Sequence, residues 1–600
     1  MQAIILAAGM GKRLGELTRH NTKCMIKING VTLIERMLTQ LDNLNLNKII
    51  LVIGYKGKEL KNFISEYINI KTEIEFVENP IYDKTNNIYS LYLAKDYLLK
   101  DDTLLLESDL IFDNSILPKL INETYPSLAL VAKYENWMDG TVVTIDEENN
   151  IKSFIPVNKF QFEDIPGYFK TVNIYKFSKE FSTSHYVPFL EAYSKALGNN
   201  EYYEQVLRVI TLLEKPEIKA LKLNNEKWYE IDDIQDLDIA ESVFSDDDEK
   251  INKFHNRYGG YWRYPKLLDF CYLVNPFFPP QKLIDEIKAN LEKLITQYPS
   301  GQEVNSLLAS KMFNISQNQI AVGNGAAEII NILATYIKEK IGIMIPTFEE
   351  YTNRMHDKII CFKTNNNNFI YGIDEIKKCF DNLNYFILIN PDNPSGNYIN
   401  KSEILNLLEW CLKNKKNIIV DESFIDFSIE STNGSLIRKE ILENYPNLIL
   451  IKSISKSYGV PGCRIGFIAS GNTELIRYIK NKLSIWNINS FGEFFLQIIG
   501  KYEKSYIEAC NKLILERDRL YNELSRINFL RVIPSQSNYF LCEVNNFTSR
   551  ELTKRLLTQE EIFIKDCSEK LGFENKQYIR IAIRNKEDND KLVNSLKKQK

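Results

Sequence analysis

Residues 453–467 read SISKSYGVPGCRIGF, a lysine and an arginine set among serines and glycines. A deprotonated lysine amine attacks carbonyl carbon, so the neighbourhood of Lys456 decides how the surrounding chain is read. The stretch begins inside NLILIKSIS (447–455), one of several short apolar runs in the second half of the chain. The others are KIGIMIP (340–346), NYFILINP (384–391) and KNIIVDES (416–423), with amphipathic helical patterns between them. Such alternation predicts a mostly parallel sheet covered on both faces.

The first half of the chain repeats the class without repeating the sequence. AIILAAG (3–9), KIILVIGY (48–55) and DTLLLESD (102–109) read as strands. LIERMLTQLDNL (33–44) has helical spacing, with Leu33, Ile34, Met37, Leu38 and Leu41 on one face. A glycine loop leaves the first strand in LAAGMGKRLGELTRHNTK, bringing Gly9, Gly11, Arg13 and Lys23. Backbone amides exposed by such a loop reach phosphate oxygens; the glycines alone also suit a tight turn beside surface cations.

The 600 residues suffice for three or more compact units. A net charge of -4 gives no electrostatic case for nucleic acid. No apolar run is long enough to span a membrane, and MQAIILAAG lacks a basic leader segment. Nine scattered cysteines without a CxxC pair suit a reducing cytoplasm. The acidic run SDDDEKINK (245–253) predicts a solvated linker, and NPFFPP (275–280) an extended arm. The expected organisation is a domain over 1–243, a linker over 244–256 and a second domain over 257–600. Within the latter come an arm (257–290), a large α/β domain (291–510) and a small α+β lobe (511–600).

Over residues 1–240 the chain resembles the sugar-phosphate and choline-phosphate nucleotidyltransferases. Their opening signature LAAGxGxRL, a threonine and a lysine are present, with Thr22 where proline usually precedes the lysine. NPIYDKTNNIYSLYLAKDYL (79–98), ESD (107–109), KTVNIYKFS (170–178) and WYEIDDIQDL (228–237) resemble the choline-phosphate cytidylyltransferase branch. The resemblance implies a Rossmann-like domain in which Asp109 and Asp232 bind Mg²⁺, with Asp233 one residue away, and Lys23 is catalytic. It places CTP against Leu6, Ala8, Gly9, Gly11, Arg13, Lys23, Thr85, Asn86, Asn87 and Ser108. Thr85, Asn86 and Asn87 also read as an Asn-rich turn. For the acceptor, KYENWMDGTVV (133–143) offers Trp137 for a quaternary headgroup or Asp139 for a primary ammonium; it also reads as an Asp–Gly turn beside a packed tryptophan. Lys133, Asp139 and Asn173 are the expected acceptor contacts.

Residues 254–590 resemble the fold-type I, class I/II aminotransferases, closest to the histidinol-phosphate aminotransferase and threonine-phosphate decarboxylase branches. The resemblance implies pyridoxal phosphate, with Lys456 as its Schiff-base lysine and Asp421 on its pyridinium nitrogen. Asn393 in NPDNPSG would bond the ring oxygen and Phe348 stack on the ring. Ala326 and Ala327 amides with Ser453, Ser455 and Arg464 would hold the phosphate. Arg580 would take a substrate carboxylate, with Arg584 nearby. Tyr298 would reach the neighbouring subunit's cofactor, which implies a homodimer. Phe424 stands where many aminotransferases carry tyrosine, a feature of the decarboxylase branch.

Joined on one chain, the two resemblances imply a bifunctional enzyme of the 2-aminoethylphosphonate cytidylyltransferase–aminotransferase type. Its small-molecule partners would be CTP, an aminophosphonate or aminophosphate, and an amino donor. A phosphoserine decarboxylase fused to a phosphoethanolamine or phosphocholine cytidylyltransferase is the alternative. A regulator or nucleotide sensor is disfavoured because Lys23, Asp109 and Lys456 are all present.

Overall fold

The computed structural model describes residues 1–599 other than 214, 216, 365 and 575. The chain divides into two compact units, Met1–Gly259 and Gly260–Lys600.

In the first unit, strands Ile74–Glu78, Ile49–Ile53, Gln2–Ala7 and Thr103–Glu107 lie parallel in that order. Phe169–Phe177 continues the sheet antiparallel to Thr103–Glu107. Both faces of the central strands Gln2–Ala7, Ile49–Ile53 and Thr103–Glu107 are covered, so these three are largely apolar. Ala3, Ile5, Leu51 and Leu104 pack on one side, and Ile4, Leu6, Val52 and Leu105 on the other. The chain starts in the middle of the sheet and builds outward in both directions from Gln2–Ala7. The crevice at such a reversal opens at the carboxyl ends of the flanking strands, which here deliver Ala8–Gly9 and Ser108–Asp109.

The acidic stretch expected as a linker is instead a helix, Asp247–Arg257. Asp246 caps it, accepting from the backbone N–H groups of Asp248 and Glu249 at 3.1 and 2.9 Å. Its acidic first turn and basic last turn complement the helix dipole. Ile251 and Phe254 are buried, which anchors the helix. The boundary between the compact units falls after it, at the adjacent glycines Gly259 and Gly260, both with positive φ.

The second unit holds a seven-stranded sheet in the order Ile320–Asn324, Ile465–Ser470, Leu448–Ser453, Asn417–Asp421, Tyr385–Ile389, Ile341–Ile345 and Ile359–Lys363. Ile465–Ser470 runs antiparallel to both neighbours. A long helix, Glu503–Leu524, precedes a four-stranded antiparallel sheet built from Leu530–Val532, Tyr539–Val544, Tyr578–Ala582 and Lys565–Asp566. This is the expected large α/β domain with a small α+β lobe. Among the described residues no helix is long and apolar enough to cross a membrane.

Candidate active sites

The first site is a cavity of about 930 Å³ in the first unit. Leu6, Ala8, Gly9, Gly11, Arg13, Lys23, Thr85, Asn86, Asn87 and Ser108 all line it, as do Asp109, Asp139, Asn173 and Asp232. Gly11 sits at φ +60, where an added Cβ would come within 3.2 Å of the Lys23 Cβ. That glycine lets the loop turn back over the lysine.

Lys23 Nζ lies 2.5 Å from Asp109 Oδ2 and 2.8 Å from Asp232 Oδ1. Burial opposes its charge, but the two carboxylates outweigh that and raise its pKa. Arg13 Nη2 reaches Asp232 at 2.9 Å. Against the cost of burial, Lys23 and Arg13 hold the Asp232 carboxyl below its ordinary range. The adjacent Asp233 turns away: its side chain caps the helix Ile234–Val243, which assigns the cavity-facing role to Asp232.

Sequence reasoning missed Glu230. Carboxylate oxygens of Asp109, Glu230 and Asp232 lie within 4.8 Å of one another. Asp109 Oδ1 is buried with no hydrogen-bond partner. A hard-donor set with an unsatisfied oxygen fits Mg²⁺. Alternation along WYEID carried the missing signal, because residues two apart on extended chain share a side.

Of the residues singled out in the sequence, Lys133 and Trp137 do not line the cavity, and Asp139, Asn173 and Asn87 line it while holding partners of their own. Lys133 does not line the cavity: its ammonium donates to the Pro166 carbonyl and sits 4.7 Å from the Phe169 ring centroid. Trp137 stacks on Tyr229 at 4.0 Å, and its Nε1 donates to Glu135, so it forms no aromatic cage. Asp139 stands at the mouth, 66% exposed, 3.6 Å from Arg13 Nη1. Asn173 is at φ +59, within a bulge between Thr171 and Tyr175, and donates to Glu230 Oε1 at 3.1 Å. The Asn87 amide is committed to Glu107 Oε1 and the Tyr203 N–H, so it buttresses the wall.

The second site gathers at the carboxyl ends of the large sheet. Lys456 Nζ lies 4.2 Å from the Phe424 ring centroid and 5.4 Å from that of Phe348. Burial is the main cause that lowers its pKa to about 8; Arg580 and Arg464 add to this and Asp421 opposes it. Asp421 ends its strand with Oδ1 accepting from Ser423 N–H and Oγ–H at 3.0 and 2.5 Å. Its Oδ2 accepts from the Tyr351 hydroxyl at 2.8 Å, a partner the sequence did not announce.

Two glycines shape a cradle beside Lys456. A Cβ on Gly325 would lie 2.5 Å from Arg464 Nη2, and one on Gly466 would lie 2.4 Å from the Ala326 backbone nitrogen. The helix Gly325–Tyr336 starts there, presenting the amides of Ala326 and Ala327. Ser455 Oγ is buried without a partner, and Ser453, its backbone N–H donating to Ser423 Oγ at 2.9 Å, ends the preceding strand. Free amides, an orphaned hydroxyl and a guanidinium together fit a phosphate.

Arg580 donates to Asn393 Oδ1 at 2.9 Å and to the Cys271 carbonyl at 2.8 Å. Arg584 is engaged elsewhere, with Asp588 and the Asp269 carbonyl, each at 2.9 Å, and does not join it. Tyr298 is 80% exposed and stacks on Trp486 at 4.5 Å, on the surface of its own unit.

Two catalytic-type sites on one chain define a fused enzyme. Residues 3–175 match the MobA-like NTP transferase domain, and residues 265–596 match aminotransferase class I and II. The chain belongs to the class I and II aminotransferase family, whose members use pyridoxal phosphate, and carries an NTP transferase domain ahead of it. It is 27% identical over 599 residues to CMP-5'-(3-aminopropyl)phosphonate synthase of Streptomyces rubellomurinus, covering 99% of this chain and 94% of that protein. It is 31% identical over 348 residues to L-serine phosphate decarboxylase of Campylobacter jejuni, covering 55% of this chain and 87% of the relative. Among solved structures, a decarboxylase from Sulfurospirillum multivorans matches 56% of this chain and 90% of its own, with 29% identity and TM-score 0.51. The histidinol-phosphate aminotransferase of Clostridium acetobutylicum matches 55% of this chain and 98% of its own, with 29% identity and TM-score 0.50.

Proposed function

We propose that the second unit transaminates phosphonoacetaldehyde to 2-aminoethylphosphonate, and that the first unit condenses this product with CTP to CMP-2-aminoethylphosphonate and pyrophosphate. The chief support is a similarity that spans both units, to a CMP-5'-(3-aminopropyl)phosphonate synthase. An amino acid donor supplies nitrogen and leaves as its 2-oxo acid. A phosphonate oxygen then bonds to the α-phosphorus of CTP as the bond to pyrophosphate breaks. The product would serve to decorate lipids or polysaccharides.

In the first site Arg13 and Lys23 neutralise phosphate charge, and Asp109, Glu230 and Asp232 would hold Mg²⁺, which polarises the phosphoryl oxygens when bound. In the second, pyridoxal phosphate acts as an electron sink when bound. Asp421 would face its ring nitrogen, Phe348 its ring and Asn393 its ring oxygen. Ser453, Ser455, Arg464 and the Ala326 and Ala327 amides would hold its phosphate. Lys456, poised near neutrality, moves protons at the substrate carbon, and Arg580 takes the donor's carboxylate. Exposed Ile295, Tyr298, Ile485 and Trp486 support a homodimer formed through this unit. The unpaired cysteines support a cytoplasmic setting.

A second reading is favoured by Phe424 and by the serine phosphate decarboxylase relatives: decarboxylation of phosphoserine followed by formation of CDP-ethanolamine. Pyrophosphate release from CTP and Mg²⁺ with 2-aminoethylphosphonate, phosphoethanolamine and phosphocholine separates the two. Preference for the phosphonate is expected; preference for phosphoethanolamine would establish the second reading, and preference for phosphocholine would defeat both.

A further inference from the structure

We propose that Glu204 is the ammonium-binding terminus of the acceptor pocket and sets the preference for amine-bearing acceptors. This assignment rests on the cytidylyl-transfer reading above. Glu107, Asp109, Glu204, Glu230 and Asp232 all line the cavity. Four of these have partners. Lys23 sits between Asp109 and Asp232. Lys170 lies 3.4 Å from Glu230, which also accepts from Asn173. Glu107 accepts from Asn87 at 3.0 Å.

Glu204 differs. It is only 5% exposed, and its Oε2 has no hydrogen-bond partner. No ion pair to it occurs among the described residues. A buried carboxylate with one oxygen unbonded is costly, and a cation arriving with the substrate removes that cost. Tyr193 and Tyr202 line the same cavity, aromatic side chains of the kind that accommodate a cation. The cavity therefore offers both signs of charge: Arg13 and Lys23 beside the metal-type carboxylates for phosphate, and Glu204 for the acceptor's positive charge. A short aminoalkylphosphonate carries the matching pair of charges. Asp139, exposed and held by Arg13, lacks the desolvation that would make an ammonium contact selective.

The test measures pyrophosphate release with 2-aminoethylphosphonate, 3-aminopropylphosphonate and 2-hydroxyethylphosphonate, the last a neutral-headed analogue of the first. In Glu204→Gln, KM for 2-aminoethylphosphonate should rise on the order of 100-fold, as for loss of a buried charge partner. KM for CTP should be unchanged, and the preference for amine over hydroxyl should collapse. Glu204→Asp, which withdraws the charge by one methylene, should shift preference toward the aminopropyl acceptor; this keeps the assignment testable if the glutamine variant does not fold. Unchanged preferences in an active Glu204→Asp or Glu204→Gln protein would overturn the subsite alone. A wild-type enzyme that transfers to none of the amines would overturn the proposed function and the subsite with it.

Discussion

Lys456 stands between the Phe348 and Phe424 rings with an amine whose pKa is lowered to about 8. A group depressed in this way is neutral above that value and protonated below it. Reconstitution of cofactor-free protein with pyridoxal phosphate, followed by visible absorbance, should therefore accelerate as pH rises through about 8 and level off above it. Lys456→Ala should lose the absorbance band yet keep pyrophosphate release. Asp109→Ala should stay yellow and lose transfer by about 10³-fold, typical of removing a preorganised charge. Loss of both activities in either variant would contradict two independent sites. Sequence alone made Lys456 and Asp421 visible, because each lies at or just past the end of a strand and its motif is contiguous. It did not reveal Glu204 or Tyr351, since nothing local announces a residue whose partner is 70 positions away or a cavity.

Among elements, strands were the most legible. Runs such as 340–346 and 416–423 contain the observed Ile341–Ile345 and Asn417–Asp421 because burial on both faces forces a continuous apolar stretch. The acidic run after residue 244 misled for the opposite reason. Its composition is that of a solvated chain, but the capping Asp246 and two buried side chains make it a helix. The bulge around Asn173 was also hidden, since register is a property of paired strands. Gly466 tests how closely two elements approach: its strand leaves room for the Ala326 amide and nothing larger. Gly466→Ala should weaken pyridoxal phosphate binding by about 1–3 kcal/mol, the usual cost of overpacking, measured by absorbance titration. Unaltered binding would show that the cradle can yield.

At the scale of the molecule, each compact unit has its own sheet and its own apolar core. The class of both units could be read from the alternation of strands and helices; the helix in the charged stretch could not, because its cap and buried side chains, not its composition, decide it. Tyr298 gives this arrangement a kinetic consequence. A side chain 80% exposed on its own unit, and proposed to complete the site of a second copy, makes one chemistry obey mass action and leaves the other indifferent to it. On progressive dilution, specific aminotransferase activity should fall along the dimer dissociation curve, while specific cytidylyl transfer stays flat. Parallel loss of both, or of neither, would remove Tyr298 from the partner's site. Protein concentration would thus be a dial on the supply of acceptor, leaving its activation untouched.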